Sequence, residues 1–343
     1  MDKYCIIEKK MYENHAGAKA REDIATILLQ EKWIPFVVHH SEQKGTLDKL
    51  KMAFLTHRDW RYVYKHIPAG ADLILQYPLA MYPKVSMLAI PILKKLKEKN
   101  VRRIFLIHDL ESLRGGDSSR ERAFLNEADV IIAHNSHMIQ YLRNIGYKNK
   151  KMISLDIFDY LMKESDCCHK NIDDWKTVAI AGNLRKDKAG YVYLLDKLNA
   201  DVRFYLYGPN YEGKEEGKNV TYQGQYSPEQ LPEKLQCGFG LVWDGPSLEK
   251  CGGNMGKYLK YNNPHKTSLY LASGIPVIIW KEAAMADLIN EKQVGLVVDS
   301  LEDISDKFRK LQEEEYTKLK KNAEKFGKQL RTGAMLKTAI SLL

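Results

Sequence analysis

Short, nearly uninterrupted apolar runs alternate along the chain with longer stretches that mix apolar and polar residues. In the first half the runs at 3–8, 34–39, 71–76, 103–107 and 130–133 have the length and composition of strands buried on both faces. Residues 18–31, 86–99, 119–128 and 136–145 read as helices lying among them. In the second half 177–182 (TVAIAG), 202–206 (VRFYL) and 238–243 (GFGLVW) are strands, and each enters a loop rich in Gly, Asn and charge. Strands alternating with helices predict parallel sheets, so the fold class is α/β. Ligands of such sheets bind beyond the carboxyl ends of the strands, which makes those loops one candidate site.

The segment 262–280, NNPHKTSLYLASGIPVIIW, predicts a helix running directly into a buried strand. Asn262, Asn263 and Pro264 are helix-opening residue types, and His265, Lys266, Thr267 and Ser268 fall in the first turn, where backbone N–H groups lack internal partners. A lysine there opposes the helix macrodipole unless an anion such as a diphosphate lies between them. The competing reading is an ordinary αβ unit with a stray lysine. Leu269, Leu271 and Ala272 should face the core, and Gly274 should end the helix.

A length of 343 residues suits two domains, each able to bury its own core. No apolar run is long enough to cross a membrane, and the opening MDKYCIIEKKMYENH lacks the apolar region of a secretion signal, so the expected location is cytoplasmic. Cys5, Cys167, Cys168, Cys237 and Cys251 are odd in number without CxxC spacing, which argues against a disulfide framework and a zinc site. The formal charge of +9 could answer to nucleic acid, an anionic membrane or an anionic substrate. Acids interleave with the basic residues and no aromatic-basic RNA signature occurs, so nucleic acid is not expected. The carboxyl-terminal stretch, with Lys318, Lys320, Lys321, Lys325 and Lys328, is the better candidate for anionic lipid.

The ordered motifs AGNLRK, YGPN, GFGLVWDG and KYNNPHKTSLYLASGIPVIIW, preceded by NHAGAKA, HDLESLR and ADVIIAHNSHM, resemble GT-B glycosyltransferases of the bacterial glucosyltransferase 3-like family, which includes galactofuranosyltransferases. The resemblance covers nearly the whole chain. It implies two Rossmann-like domains facing across a cleft, an acceptor-side domain at 1–160 and a donor-binding domain at 175–327, joined by a polar, structureless linker at 159–174. Residues 328–343 would then form a helix crossing back to the first domain. It also implies a hexosyltransferase that takes galactofuranose or glucose from a UDP-sugar to a glycan, glycoprotein or lipid-linked acceptor in polysaccharide or glycoprotein assembly. Such an enzyme would be metal-independent and inverting, would need no cofactor, and is expected to be a homo-oligomer with peripheral membrane contact.

Within that frame Arg185 and Lys266 are the expected diphosphate cations, with Arg185 as a plain surface residue the alternative. Asn183, Tyr207 and the backbone of Gly208 are placed for uracil or ribose, and Tyr207 could equally be a core aromatic. Asn263, His265 and Thr267 are assigned to diphosphate or sugar, although His265 could simply cap its helix. Asp244, Lys257 and Tyr258 belong to a Gly-rich loop that could close over the donor or could simply be flexible. Asp109, just past the strand at 103–107, is the candidate general base, with His108 second. The alternative is that Asp109 caps a helix or pairs with Arg114. Glu111 and Arg114 would orient the acceptor, and Asn14 and Gly17 would form the loop opposite the phosphates. No Asp-x-Asp pair stands in a metal-binding context, and Asp173-Asp174 lies in the linker. Two other functions fit the same motifs, a sugar-nucleotide epimerase and a non-catalytic sugar-nucleotide-binding partner of another transferase.

Overall fold

The computed structural model describes residues 2–10, 16–40, 45–116, 118–163, 174–198 and 201–343. Its strands form two six-stranded, wholly parallel sheets. The first contains β1 (Lys3–Lys10), β2 (Ile34–His40), β3 (Asp72–Tyr77), β4 (Arg102–Ile107), β5 (Val130–Ala133) and β6 (Lys151–Ser154), in the order β2-β1-β3-β4-β5-β6. The second contains β7 (Thr177–Ala181), β8 (Arg203–Tyr207), β9 (Val220–Tyr222), β10 (Phe239–Val242), β11 (Val277–Trp280) and β12 (Gly295–Val298), in the order β12-β11-β10-β7-β8-β9. Every residue of β3, β5, β7, β10 and β11 is buried, as central parallel strands covered on both faces require. Strand order reverses between β1 and β3 and between β7 and β10, and these two switch points face ligand in doubly wound folds.

The helices of the first unit are α1 (Ala16–Gln30), α2 (Thr46–His66), α3 (Ile90–Glu98), α4 (Ser118–Glu127) and α5 (Ser136–Leu142). The second unit carries α6 (Gly253–Tyr258), α7 (His265–Ala272), α8 (Ala286–Lys292), α9 (Asp303–Lys310) and α10 (Glu313–Arg331), and the chain continues into α11 (Ala334–Ser341). The expected helix over 86–99 is broken: Pro83–Ser86 is one α turn, Met87–Ala89 is a 3-10 turn, and α3 begins beside Pro91. Gly274 adopts the left-handed φ of 74° just beyond α7, and Leu269, Leu271 and Ala272 are buried. No helix among the described residues is long and apolar enough to cross a membrane.

Two apolar clusters cover the faces of the first sheet and one fills the second unit. Leu336, Ala339 and Ile340 of α11 share a cluster with Ile24, Ile27 and Leu28 of α1, which fastens the end of the chain to the first unit. Asp159 caps that helix. It accepts from the Met335 and Leu336 N–H groups at 3.1 and 2.8 Å, and burial raises its carboxyl to about 7. Residues 159 and 160 are therefore buried and packed, where a structureless linker is expected from 159 onward. The expected linker residues 164–173, with Cys167, Cys168 and Asp173, lie outside the described residues. Cys5, Cys237 and Cys251 are buried.

Candidate functional site

The loops after β7 and β8 and the first turn of α7 enclose a cavity of 680 Å³. Asn183, Tyr207, Gly208, His265 and Lys266 line it from the second unit, and Lys19 and Tyr160 close the other side. Its floor is backbone brought unusually close. A Cβ on Gly208 would stand 1.8 Å from the Gly182 carbonyl oxygen, at a φ of 144° that only glycine adopts readily. The Tyr207 ring packs in the core, as one reading of it expects, and also lines the cavity, while its hydroxyl donates to the Lys234 carbonyl at 3.1 Å. Asn183 accepts from Arg185 N–H and Asn210 Nδ2 at 3.1 and 3.0 Å, which sets the shape of the loop.

The first turn of α7 has no side-chain cap, Pro264 standing at the N-cap position. Nε2 of His265, Oγ1 of Thr267 and Oγ of Ser268 are buried without a hydrogen-bond partner. Hydroxyls and backbone N–H groups left unpaired at a helix N-terminus are donors an anion can meet, whereas Nε2 of the His265 ring, whose other nitrogen bonds the Asp159 backbone, is an acceptor. Burial, reinforced by Lys19, lowers His265 to about 4, so the ring is neutral at physiological pH. Lys266 reaches back from this turn to the end of β10, where Nζ donates to the Trp243 carbonyl at 2.8 Å and to Asp244 at 3.0 Å. Asp244 thus occupies the cation at the switch point between β7 and β10.

Arg185 and Lys188 divide the roles differently from the expectation. Arg185 is exposed, makes a bidentate pair with Asp187 two residues on, and does not line the cavity. Lys188, in the single helical turn Lys186–Ala189, is turned inward. Burial lowers its ammonium pKa, Asp244 and Asp109 raise it, and Lys266 and Arg114 lower it, so four charges from both units surround it. Lys19 is the other cation absent from the expected set. Its ammonium bonds Asp23 and the Leu161 carbonyl (2.7 Å) and stands 5.0 Å over the Tyr160 ring. The only sequence signal for either was proximity to a named motif, NHAGAKA for Lys19 and AGNLRK for Lys188.

Asn263 joins the two units. Its N–H donates to His134 Nδ1 (2.8 Å), its amide donates to the His134 and Asp156 carbonyls (2.6 and 3.1 Å), and its Oδ1 accepts from Asn135 (2.7 Å). Its side chain is committed to this joint. His134 Nε2 donates to the Ile107 carbonyl at 3.1 Å, so two backbone groups fix a neutral tautomer, and burial lowers its pKa to about 4. Because the imidazole is depressed below its unfolded value near 6.5, its stabilising neutral state is complete above that pH and is lost as pH falls toward 4. Asp159 acts in the opposite direction over a similar range. The test is therefore a difference: the stability gap between wild type and His134→Gln in urea unfolding should shrink by about 1 to 3 kcal/mol between pH 7 and pH 4. A constant gap would show that His134 does not titrate with unfolding.

Across the cleft, β4 delivers His108 and Asp109. Gln76 Nε2 donates to the Arg21 carbonyl, which turns its Oε1 toward His108 and makes His108 Nε2 the donor at 2.6 Å. Burial holds His108 well below its ordinary pKa, with Arg21, His134 and His265 adding to the effect. Asp109 is half-buried and pairs with Arg114 at 2.9 Å. Tyr258 of α6 reaches it from the other unit, with its hydroxyl bonded to Asp109 while accepting from Leu110 N–H at 3.2 Å. Burial raises the Asp109 carboxyl, and Arg114 and Tyr258 lower it. Arg114 also lies 5.9 Å over the Tyr258 ring, so the base candidate sits in a contact between the units. Glu111 pairs with Arg120 at a second, largely apolar cavity of 330 Å³ beside Tyr82 and Phe124. Lys257 is exposed on α6, Gly17 lies in the first turn of α1, and Asn14 lies outside the described residues. No cluster of three or more His, Cys, Asp or Glu suited to a metal occurs among the described residues.

The geometry has counterparts in known proteins. Residues 3–157 match the glucosyltransferase 3-like N-terminal domain family, and residues 178–342 match the corresponding C-terminal domain family. The chain is 38% identical over 239 residues to the beta-1,6-galactofuranosyltransferase WbbI of Escherichia coli K12, covering 68% of this chain and 69% of that protein. It is 27% identical over 249 residues to glucosyltransferase 3 of Streptococcus parasanguinis, covering 71% and 70%. Among solved structures, a sucrose-phosphate synthase from Thermosynechococcus elongatus superposes with a TM-score of 0.65 at 12% identity, covering 99% of this chain and 98% of that one. Anabaena HepE in complex with UDP superposes with a TM-score of 0.60 at 14% identity over 99% and 100%. These place the two-sheet fold in the GT-B architecture. The chain belongs to the glucosyltransferase 3-like family of GT-B glycosyltransferases.

Proposed function

We propose that this protein transfers a hexosyl unit, galactofuranosyl or glucosyl, from a UDP-sugar to a glycan or lipid-linked acceptor, with inversion and without a metal. The observation that carries the reading is the uncapped first turn of α7, with Lys266 lining the cavity beside it and Lys188 sharing the Asp244 carboxylate with Lys266 at the cavity's edge in the cleft. The diphosphate would lie against the free N–H groups and take Lys266 from Asp244, so the cations stabilise the departing UDP. The closely approached backbone at Gly182 and Gly208 leaves room for a flat base and ribose beside Tyr207. Asp109 would take the acceptor proton from the opposite side, as attack on the face away from the leaving group requires. The two named relatives, a galactofuranosyltransferase and a glucosyltransferase, support these sugars as donors.

Calorimetry with UDP, UDP-galactofuranose and UDP-glucose tests the donor, and an assay with glycan acceptors tests transfer. Transfer should persist in EDTA, because protein cations and a helix N-terminus hold the diphosphate. Activity abolished by EDTA and restored by magnesium or manganese would overturn the metal-free mechanism. Interconversion of the donor sugar without transfer would favour an epimerase. Donor binding with no turnover on any acceptor would favour a non-catalytic partner.

A further inference from the structure

We propose that the outward face of α2 is a docking surface for an anionic lipid bilayer. Leu47, Leu50, Phe54, Arg58, Arg61 and Lys65 recur at spacings of three and four residues, which places them along one stripe of the helix. The stripe faces solvent: Leu47 is 83% exposed, Leu50 64% and Phe54 69%. Three large apolar side chains in a row on an open helix are uncommon on a soluble surface and mark an interaction site. The second half of the same stripe is basic, and Lys51 stands exposed beside it.

Neither acid of α2 is exposed on this face. Asp48 accepts from the Tyr82 hydroxyl at 2.9 Å, and Asp59, buried against His39, accepts from Arg58 at 2.8 and 2.9 Å, which leaves Arg61, Lys65 and Lys51 as the cations for headgroups. An apolar segment to enter the interface, basic residues to meet headgroups and no outward acid is the pattern of a helix lying on an anionic membrane. A second copy of this chain fits it less well. Parallel pairing of two such helices would set Arg61 and Lys65 against their own copies, and antiparallel pairing would set them against Leu47 and Phe54. The surface also adjoins the acceptor side of the cleft, because Lys49 lies 5.7 Å over the Tyr82 ring and Tyr82 lines the apolar cavity shared with Glu111 and Arg120. Its use in catalysis rests on the proposed lipid-linked acceptor, whereas the docking itself does not.

Membrane contact then falls on α2 and not on α10, where the lysines of the carboxyl-terminal stretch concentrate. Co-sedimentation of the full chain with vesicles of phosphatidylglycerol and phosphatidylcholine, against phosphatidylcholine alone, tests it. Binding is expected only to the anionic vesicles and should weaken in high salt. The double variant Leu50→Glu/Phe54→Glu should reduce partitioning by about tenfold or more while UDP affinity stays unchanged, which certifies the fold. Lys318→Glu/Lys325→Glu on α10 should leave partitioning close to wild type. No binding by the wild type, wild-type binding by the α2 variant, or loss confined to the α10 variant would each overturn the proposal. Conversion of an oligomer to a monomer by the α2 substitutions, without vesicle binding by the wild type, would assign the face to a second copy. Vesicle binding that fails while sugar transfer proceeds would refute this surface and leave the glycosyltransferase reading standing.

Discussion

Asp109→Asn is expected to lower turnover by about two to four orders of magnitude, the usual contribution of a positioned base, while UDP affinity stays nearly constant. The side chain keeps its shape and its partners. Arg114 is half-exposed, so its pair with Asp109 is worth no more than about 1 kcal/mol, and the variant should melt within a few degrees of the wild type. A loss of thermal stability that accounts for the lost activity would instead make Asp109 an ion-pair anchor for the contact between the units. The base would then be sought at His108, whose Nδ1 is the free acceptor of a neutral ring, or at Glu13, which lies outside the described residues. Tyr258→Phe sharpens the test. Because the Tyr258 hydroxyl stabilises the Asp109 carboxylate, removing it should move the acidic limb of the kcat/KM profile to higher pH. An unmoved limb would separate Tyr258 from the base.

Lys266→Ala should weaken UDP binding by about 1.5 to 3 kcal/mol, roughly ten- to more than a hundredfold, the range for a charge-assisted hydrogen bond. The substitution also leaves Asp244 buried without its cation, so a stability loss is expected alongside the affinity loss. Asp244→Asn distinguishes the two effects. If Asp244 holds the cation that the diphosphate later takes, its removal should tighten UDP modestly. The double variant should then recover stability without recovering affinity. Lys188→Ala should weaken UDP as well, and Arg185→Ala, at an exposed ion pair, much less. Unchanged UDP affinity in Lys266→Ala by calorimetry would remove this lysine from the donor site.

How much of this was legible without coordinates depends on the range of the interaction. The parallel two-sheet architecture follows from local pattern, because central strands covered on both faces are apolar throughout and need no partner to be recognised. The end of α7 at Gly274 follows similarly from a backbone conformation that glycine adopts most cheaply. Helix α2 escapes the same reading for a physical reason. Its buried side contains Thr56 and Asp59 beside Met52, Trp60 and Val63, while Leu47, Leu50 and Phe54 face outward, so apolar residues occupy both faces.

Side-chain roles in the site were settled further away. Arg185 and Lys188 stand in one short turn, and composition cannot say which is turned inward. Burial of Leu184 and Ala189 and the bond from Leu184 N–H to the Pro209 carbonyl set that turn so that Lys188 enters the cleft. Asn263 reads locally as a helix opener, yet its partners His134 and Asp156 lie more than a hundred positions earlier, and only docking of the two units brings them within hydrogen-bond distance. Lys19 reaches the 680 Å³ cavity by the same route. The sequence by itself determined the strands, the glycines that let backbone approach backbone and the helix start at Pro264, since these depend on residues near in the chain. The tertiary structure decided which cations face the cleft and which polar groups hold the units together, because charge and hydrogen bonding act between side chains that only packing makes neighbours.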